Sequence, residues 1–123
     1  MLLKDFYKIT SLEKKDAQQY SIVILINEKH EVFKGHFPGN PIMPGVCMMQ
    51  IIKELTEQIT ESSLIMESLS NVKFMALINP EVSQELHLVL DVITMDDDKI
   101  KVKNTTYFGE TVALKLVSVY KKI

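Results

Sequence analysis

Gly35-His36-Phe37-Pro38-Gly39-Asn40-Pro41-Ile42-Met43-Pro44-Gly45-Val46 runs directly into Cys47-Met48-Met49-Gln50-Ile51-Ile52-Lys53-Glu54. The change of character between these two stretches decides the fold. The first twelve residues hold three of the chain's four prolines and three of its four glycines. Proline fixes φ and removes an amide donor, and glycine admits backbone angles closed to other residues, so this stretch is neither regular helix nor central strand. Phe37, Ile42, Met43 and Val46 are large and apolar, which predicts a stiff loop packed on protein rather than a linker. The loop carries one titratable side chain, His36. Beyond it, Met48, Ile51, Ile52, Leu55 and Ile59 fall at helical spacing and make one apolar stripe. This predicts a helix from Gly45 to about Ile59, with Gln50, Lys53, Glu54 and Glu57 on the opposite side. Pro44 suits the start of that helix, where the first amides have no partner to lose. A rigid loop that delivers a histidine beside a helix N-terminus is one way to build a reaction site.

Upstream of the loop, residues 4–13 mix β-formers with polar residues and predict a first strand. Residues 19–27 predict a second, with Tyr20, Ile22, Ile24 and Ile26 on one side and Val23 and Leu25 making the other apolar too. The polar stretch 28–34 reads as a single helical turn. Downstream of the helix, residues 60–70 give no clear pattern, and Asn71–Ile78 reads as a strand ended by Asn79-Pro80. Leu86, Leu88, Leu90 and Val92 alternate with His87, Val89 and Asp91, a half-buried strand. Asp96-Asp97-Asp98 turns the chain into an alternation of Ile100 and Val102 with Lys99, Lys101 and Lys103. Phe108-Gly109-Glu110 turns it again into Val112–Tyr120. Sequential antiparallel strands and one principal helix make an α+β domain spanning residues 1–123, with no internal repeat or domain boundary.

At 123 residues the chain is large enough to bury a core without staples. Net charge is −2 and all fourteen basic residues are lysine, which argues against a dedicated nucleic-acid binder. The single Cys47 rules out an internal disulfide framework and a cysteine-based zinc cage. The longest apolar run, over residues 21–26, is strand-sized, so no membrane insertion is expected. The N-terminus lacks the apolar stretch of a signal peptide, which makes the cytoplasm the expected compartment.

The loop from Gly35 to Val46 resembles the signature of the β-hydroxyacyl-acyl carrier protein dehydratases. Asn71-Val72-Lys73-Phe74 is similar to that family's Lys-Phe strand, and Ile78-Asn79-Pro80 to the Val-x-Pro that follows it. The resemblance implies a hot-dog fold, an antiparallel sheet wrapped around one long central helix. It implies a homodimer, or a higher oligomer of dimers, whose sheets join and whose active sites lie at the interface. The N-terminal helix and His-Arg-Tyr-Pro-Phe-like opening of the family have no counterpart here. Ser83-Gln84 stand where the family usually has Gly-Asp.

By resemblance, His36 is the base or acid at the substrate's C2 position, and the amide of Gly45 is the donor to the thioester carbonyl. Phe37, Pro38, Gly39, Met43, Val46 and Met49 are implied to line the substrate site. Proton removal at C2 builds charge on the carbonyl oxygen, and a helix-start amide is a preorganised donor for it. The family's third group is a carboxylate fourteen residues after the histidine, on the other protomer's helix, acting on the C3 hydroxyl. Here that position is Gln50, which has no proton to give a leaving hydroxyl, and general acid–base help is worth roughly 10²–10⁴-fold. Glu54 follows one turn later, on the same face and roughly 6 Å along the axis. It either reaches the same pocket, directly or through a water shared with Gln50, or it is a solvated glutamate among lysines.

Three functions remain open from these residues. The first is a 3-hydroxyacyl thioester dehydratase, a lyase giving the 2-enoyl thioester, with a changed carboxylate partner. The second is a non-catalytic subunit that binds acyl carrier protein or pairs with an active dehydratase. The third is a hot-dog thioesterase in which Gln50 positions a hydrolytic water. Acyl carrier protein or coenzyme A is the implied carrier; proton-transfer chemistry needs no cofactor and no metal. His30 and His87 fall outside the motif, and His87 is expected to be exposed. Cys47 is expected to be buried and inert, and Met43, Met48 and Met49 to be core or acyl-tunnel lining. Asp96–Asp98 reads as a solvated turn. The lysines of residues 99–103 read as a solvated face, or as one that meets an acidic carrier protein.

Overall fold

The computed structural model describes residues 5–34 and 41–123. Six strands and one helix follow in the order β1 (Tyr7–Lys14), β2 (Gln19–Ile26), α1 (Gly45–Thr60), β3 (Leu64–Phe74), β4 (Glu85–Thr94), β5 (Lys99–Phe108) and β6 (Thr111–Lys122), with a 3₁₀ turn at Glu31–Phe33 before the loop. The strands form one sheet in the order β1-β2-β4-β5-β6-β3, and every pairing is antiparallel. This is the hot-dog arrangement.

Alternation puts one face of the sheet against the helix. Ile22, Ile24 and Ile26 of β2 lie beside Leu86, Leu88 and Leu90 of β4, with Ile22 opposite Leu88 and Ile24 opposite Leu86. Ile100 and Val102 of β5 and Leu114 and Leu116 of β6 continue this surface. The apolar stripe of α1 closes over it: Cys47, Met48, Ile51, Ile52 and Leu55 are all buried. Each fully buried Leu or Ile contributes about 1.5–3 kcal/mol relative to exposure. That burial, rather than intrinsic propensity, is what holds a helix of this length in place.

The turns follow their chemistry. Asp97 and Asp98 both take positive φ (61° and 58°), the pattern of a tight hairpin turn, and join β4 to β5. Gly109, at φ 58°, supplies the left-handed residue between β5 and β6. Glu61 takes a left-handed conformation to end α1, and its amide donates to the Glu57 carbonyl.

Three sequence expectations need correction. The strand expected over Asn71–Ile78 begins at Leu64 and ends at Phe74. Its alternation is broken by register shifts between Met66 and Ser68 and between Ser70 and Lys73, where Asn71 takes φ 51°. It is an edge strand that pairs only with β6, so most of its side chains stay exposed and the period-two pattern is weak. Val23 and Leu25 are half-buried, so the outer face of β2 is only partly covered within one chain. His87 is half-buried rather than exposed: its Nε2 meets Ser21 Oγ, and its ring stacks on Tyr107 with centroids 5.8 Å apart.

Candidate functional site

The helix N-terminus is fixed from two sides. Pro44 is the N-cap, with φ −65° and ψ 140°, and its carbonyl accepts from the Cys47 amide at 3.0 Å. Gly45 is thus the first helical residue, one position after the proline that the sequence places there. The incoming chain is pinned by the Met43 amide, which donates to the Ile78 carbonyl at 2.8 Å. Residues 75 and 76 in turn donate to the Ala113 carbonyl of β6, at 2.8 and 3.3 Å. The connection after β3 therefore sets the position of the helix start.

A cavity of about 370 Å³ opens between these parts. Met43, Gly45, Met48, Phe74, Leu77 and Leu114 are among its lining residues, and among the described residues no lining side chain is charged. Gly45 borders it where a Cβ would sit 2.7 Å from Phe74 Cζ, so the absence of a side chain lets the ring approach the helix start. An amide at this end of a helix has no intrahelical acceptor, and the helix dipole favours negative charge beside it. An apolar chamber beside a helix N-terminus can take an apolar chain with a polar group at its mouth.

Of the residues singled out from the sequence, His36, Phe37, Pro38 and Gly39 lie outside the described residues. Met43 and Gly45 line the cavity, and Met48 joins them. Met49 is half-buried against the core, and Val46 stands 71% exposed on the first turn. Cys47 is buried, and burial pushes its thiol up from the ordinary value.

Gln50 and Glu54 meet directly. The Gln50 amide nitrogen Nε2 donates to Glu54 Oε2 at 2.9 Å. A carboxylate only accepts, so Gln50 turns its NH₂ inward and leaves its carbonyl oxygen for another donor. The other carboxylate oxygen, Oε1, accepts from the Tyr7 hydroxyl at 2.9 Å. Tyr7 comes from β1, at the opposite end of the sheet order from β3. Its phenol is held far above its ordinary value of 10.0, first by burial, then by the Glu54 charge and the hydrogen bond to Glu54, and last by Glu57. It is therefore a neutral, fixed donor at neutral pH.

Sequence reasoning missed Tyr7. The available signal was modest: a tyrosine at a core-facing position carries an apolar ring and a polar tip that needs a partner. His30 caps the 3₁₀ turn through Nδ1, which accepts from the Val32 amide at 3.1 Å, and its ring meets Phe6 edge-on. No helix among the described residues is long and apolar enough to cross a membrane. Nor does any group of three or more His, Cys, Asp or Glu side chains among them have the arrangement to hold a metal ion.

Comparison with known proteins agrees with this architecture. The ApeI-like family, described as ApeI dehydratase, matches residues 12–112. A 3-hydroxyacyl-(acyl-carrier-protein) dehydratase FabZ from Levilactobacillus brevis is 31% identical over 97 residues, covering 73% of this chain and 63% of that protein. The corresponding FabZ from Lactobacillus helveticus is 29% identical over 113 residues, covering 81% of this chain and 75% of that protein. Among solved structures, the dehydratase heterocomplex ApeI:P from Xenorhabdus doucetiae superposes with a TM-score of 0.71 at 17% identity, covering 91% of this chain and 96% of that one. A putative thioesterase from Lactococcus lactis shares the same fold, with a TM-score of 0.69 at 12% identity, and covers 100% of this chain and 98% of that one.

Proposed function

The chain belongs to the ApeI-like dehydratase family, and from that premise we propose that it eliminates water from a 3-hydroxyacyl thioester to give the 2-enoyl thioester. The observation that carries this reading is the Gln50–Glu54 hydrogen bond of 2.9 Å. The position that holds the carboxylate in the resembled dehydratases is glutamine here, yet a carboxylate touches that glutamine's own side chain. In this reading the acid is supplied one turn along the helix, by the carboxylate that touches Gln50.

In this reading His36 takes the C2 proton and a proton reaches the departing C3 hydroxyl by way of Glu54. The C2–H and C3–O bonds break, the C2–C3 double bond forms, and water leaves. Return of the proton from His36 to Glu54 through solvent resets the site. The Gly45 amide holds the carbonyl oxygen as charge builds on it. The Gln50 carbonyl oxygen, left free to accept, takes a hydrogen bond from the substrate's C3 hydroxyl.

Gly45 and Glu54 are nine residues apart on one helix, about 13 Å of axis. That exceeds the distance from a thioester carbonyl to its C3 hydroxyl. The two groups therefore serve one substrate only if Glu54 comes from a second protomer, which supports a homodimer with composite sites. The carrier is acyl carrier protein or coenzyme A, the compartment the cytoplasm, and residues 1–123 act as a single domain. No cofactor enters the chemistry. A second reading draws on the heterocomplex named among the structural relatives: this chain pairs with a different hot-dog subunit that completes the site.

The test is dehydration of 3-hydroxyacyl thioesters on both carriers by the purified chain, with His36→Ala, Gln50→Glu and Glu54→Gln alongside. Active wild type, with His36→Ala and Glu54→Gln each reduced at least a hundredfold, supports the displaced carboxylate. Silent wild type rescued by Gln50→Glu overturns it and favours the partner-subunit reading. Release of free thiol without enoyl product points to thioester hydrolysis instead.

A further inference from the structure

We infer that Tyr7 is a positioning residue for the reaction, acting only through Glu54: its hydroxyl locks the carboxylate in the orientation in which it meets the substrate. The inference rests on the proposed role of Glu54 and extends it to an element that no motif marks.

A glutamate on a helix surface ordinarily rotates freely about its terminal torsion, and its carboxylate samples many directions. Here each oxygen is tied to a different donor. Oε2 is held by Gln50 from the same helix and Oε1 by Tyr7 from β1, both at 2.9 Å. With both oxygens engaged, the plane of the carboxylate is fixed. The Tyr7 hydroxyl adds an anchor on the oxygen that Gln50 does not hold.

The Tyr7 ring is part of the device. It is half-buried and packs against the core beside Ile9, so the hydroxyl is delivered from a rigid base rather than from a flexible side chain. The phenol stays neutral through burial and through the neighbouring charges of Glu54 and Glu57. It thus donates one proton in one direction across the whole range in which such an enzyme works. A cation such as lysine in its place would pair with Glu54 and compete with substrate for it. The purely architectural alternative is that this bond only ties the edge strand β1 to α1. The two accounts differ in what Tyr7→Phe does to turnover once folding is accounted for.

The experiment uses the full chain with Tyr7→Phe, Glu54→Gln and the double variant, each first checked for an intact thermal unfolding transition. A misplaced reacting group costs on the order of 10²-fold when displaced by about 1 Å. Tyr7→Phe is accordingly expected to lower kcat by roughly 10–100-fold with KM within about twofold of wild type. The double variant is expected to be no slower than Glu54→Gln alone, because Tyr7 has nothing left to position. Full kcat in Tyr7→Phe, or losses that multiply in the double variant, would overturn the inference.

A second measurement does not depend on turnover. The tyrosinate absorbance of Tyr7, assigned by difference from Tyr7→Phe, should titrate far above the ordinary phenol range in wild type. In Glu54→Gln it should move back toward that range. If the Tyr7 titration is indifferent to Glu54→Gln, the contact is absent in solution and the inference fails, whatever the activity. If wild type does not dehydrate 3-hydroxyacyl thioesters but the titration tracks Glu54, the functional reading fails while the clamp on Glu54 is upheld.

Discussion

The ring of Phe74 stands where a side chain on Gly45 would have to go: a Cβ there would lie 2.7 Å from Cζ and 3.1 Å from Cε1. One residue is the first of the helix and the other the last of the edge strand β3. Their contact joins the cavity's wall to the amide beside it.

Gly45→Ala tests what this contact controls. Gly45 is helical, so the backbone accepts alanine and gains about 0.5–1 kcal/mol of helix propensity. The phenyl ring must move, but it is 58% exposed and has room to do so. Unfolding stability is therefore expected to stay within about 1 kcal/mol of wild type, while affinity for a fluorescent acyl probe falls. Phe74→Ala added to Gly45→Ala should recover binding. A loss above about 2 kcal/mol in both backgrounds would show that the glycine serves packing instead.

Cys47 should behave as a core atom. It is 4% exposed, and burial holds its thiol above the ordinary range. Thiolate is the reactive form, so both terms suppress alkylation. Iodoacetamide is expected to leave the native protein unmodified at neutral pH and to label it fully in denaturant. Fast labelling of the native protein would contradict the burial.

Alkaline stability should be governed by two phenols. Burial is the largest cause raising both Tyr7 and Tyr120, and the Glu54 charge comes second for Tyr7. A raised value in the folded state means that the native protein keeps its proton after the unfolded chain has released it. The stabilisation is fully present below about pH 10 and is lost as pH rises beyond that. Urea midpoints are expected to be level up to about pH 10 and then fall, less steeply in Tyr7→Phe than in wild type. An equal slope in both proteins would place the effect elsewhere.

Glu57 is expected to matter through its shape as an acceptor. Its Oε2 accepts from the Leu64 amide at 2.9 Å and so ties the last turn of α1 to the first residue of β3. Leu64 is buried, so removing the acceptor strands its amide. Glu57→Ala should cost roughly 1.5–3 kcal/mol in urea unfolding. Glu57→Gln, which keeps an oxygen there, should cost less than half of that. Equal losses would mean that the charge, not the acceptor, is what counts.

The helix could be read from Met48, Ile51, Ile52, Leu55 and Ile59, because a 3.6-residue period is a local property and burial follows from it directly. The strands around Leu88 and Val102 were legible for the same reason at period two. β3 was not, because an edge strand with two register irregularities needs little alternation, and what orders it is pairing with β6. Tyr7 and Glu54 are 47 positions apart. Nothing in the local chemistry of either announces the other.

The helix after Pro44, the dehydratase-like signature and a glutamine, Gln50, where the resemblance implies a carboxylate could all be read from the chain itself. These are carried by residue type and short-range spacing, which the chain holds before it folds. Only the tertiary structure decided where Glu54 points, which strand holds it there, and that Phe74 stands against Gly45. Such contacts depend on the register and curvature of a six-stranded sheet closing around one helix, and that geometry exists only once burial of the common core has brought the strands together.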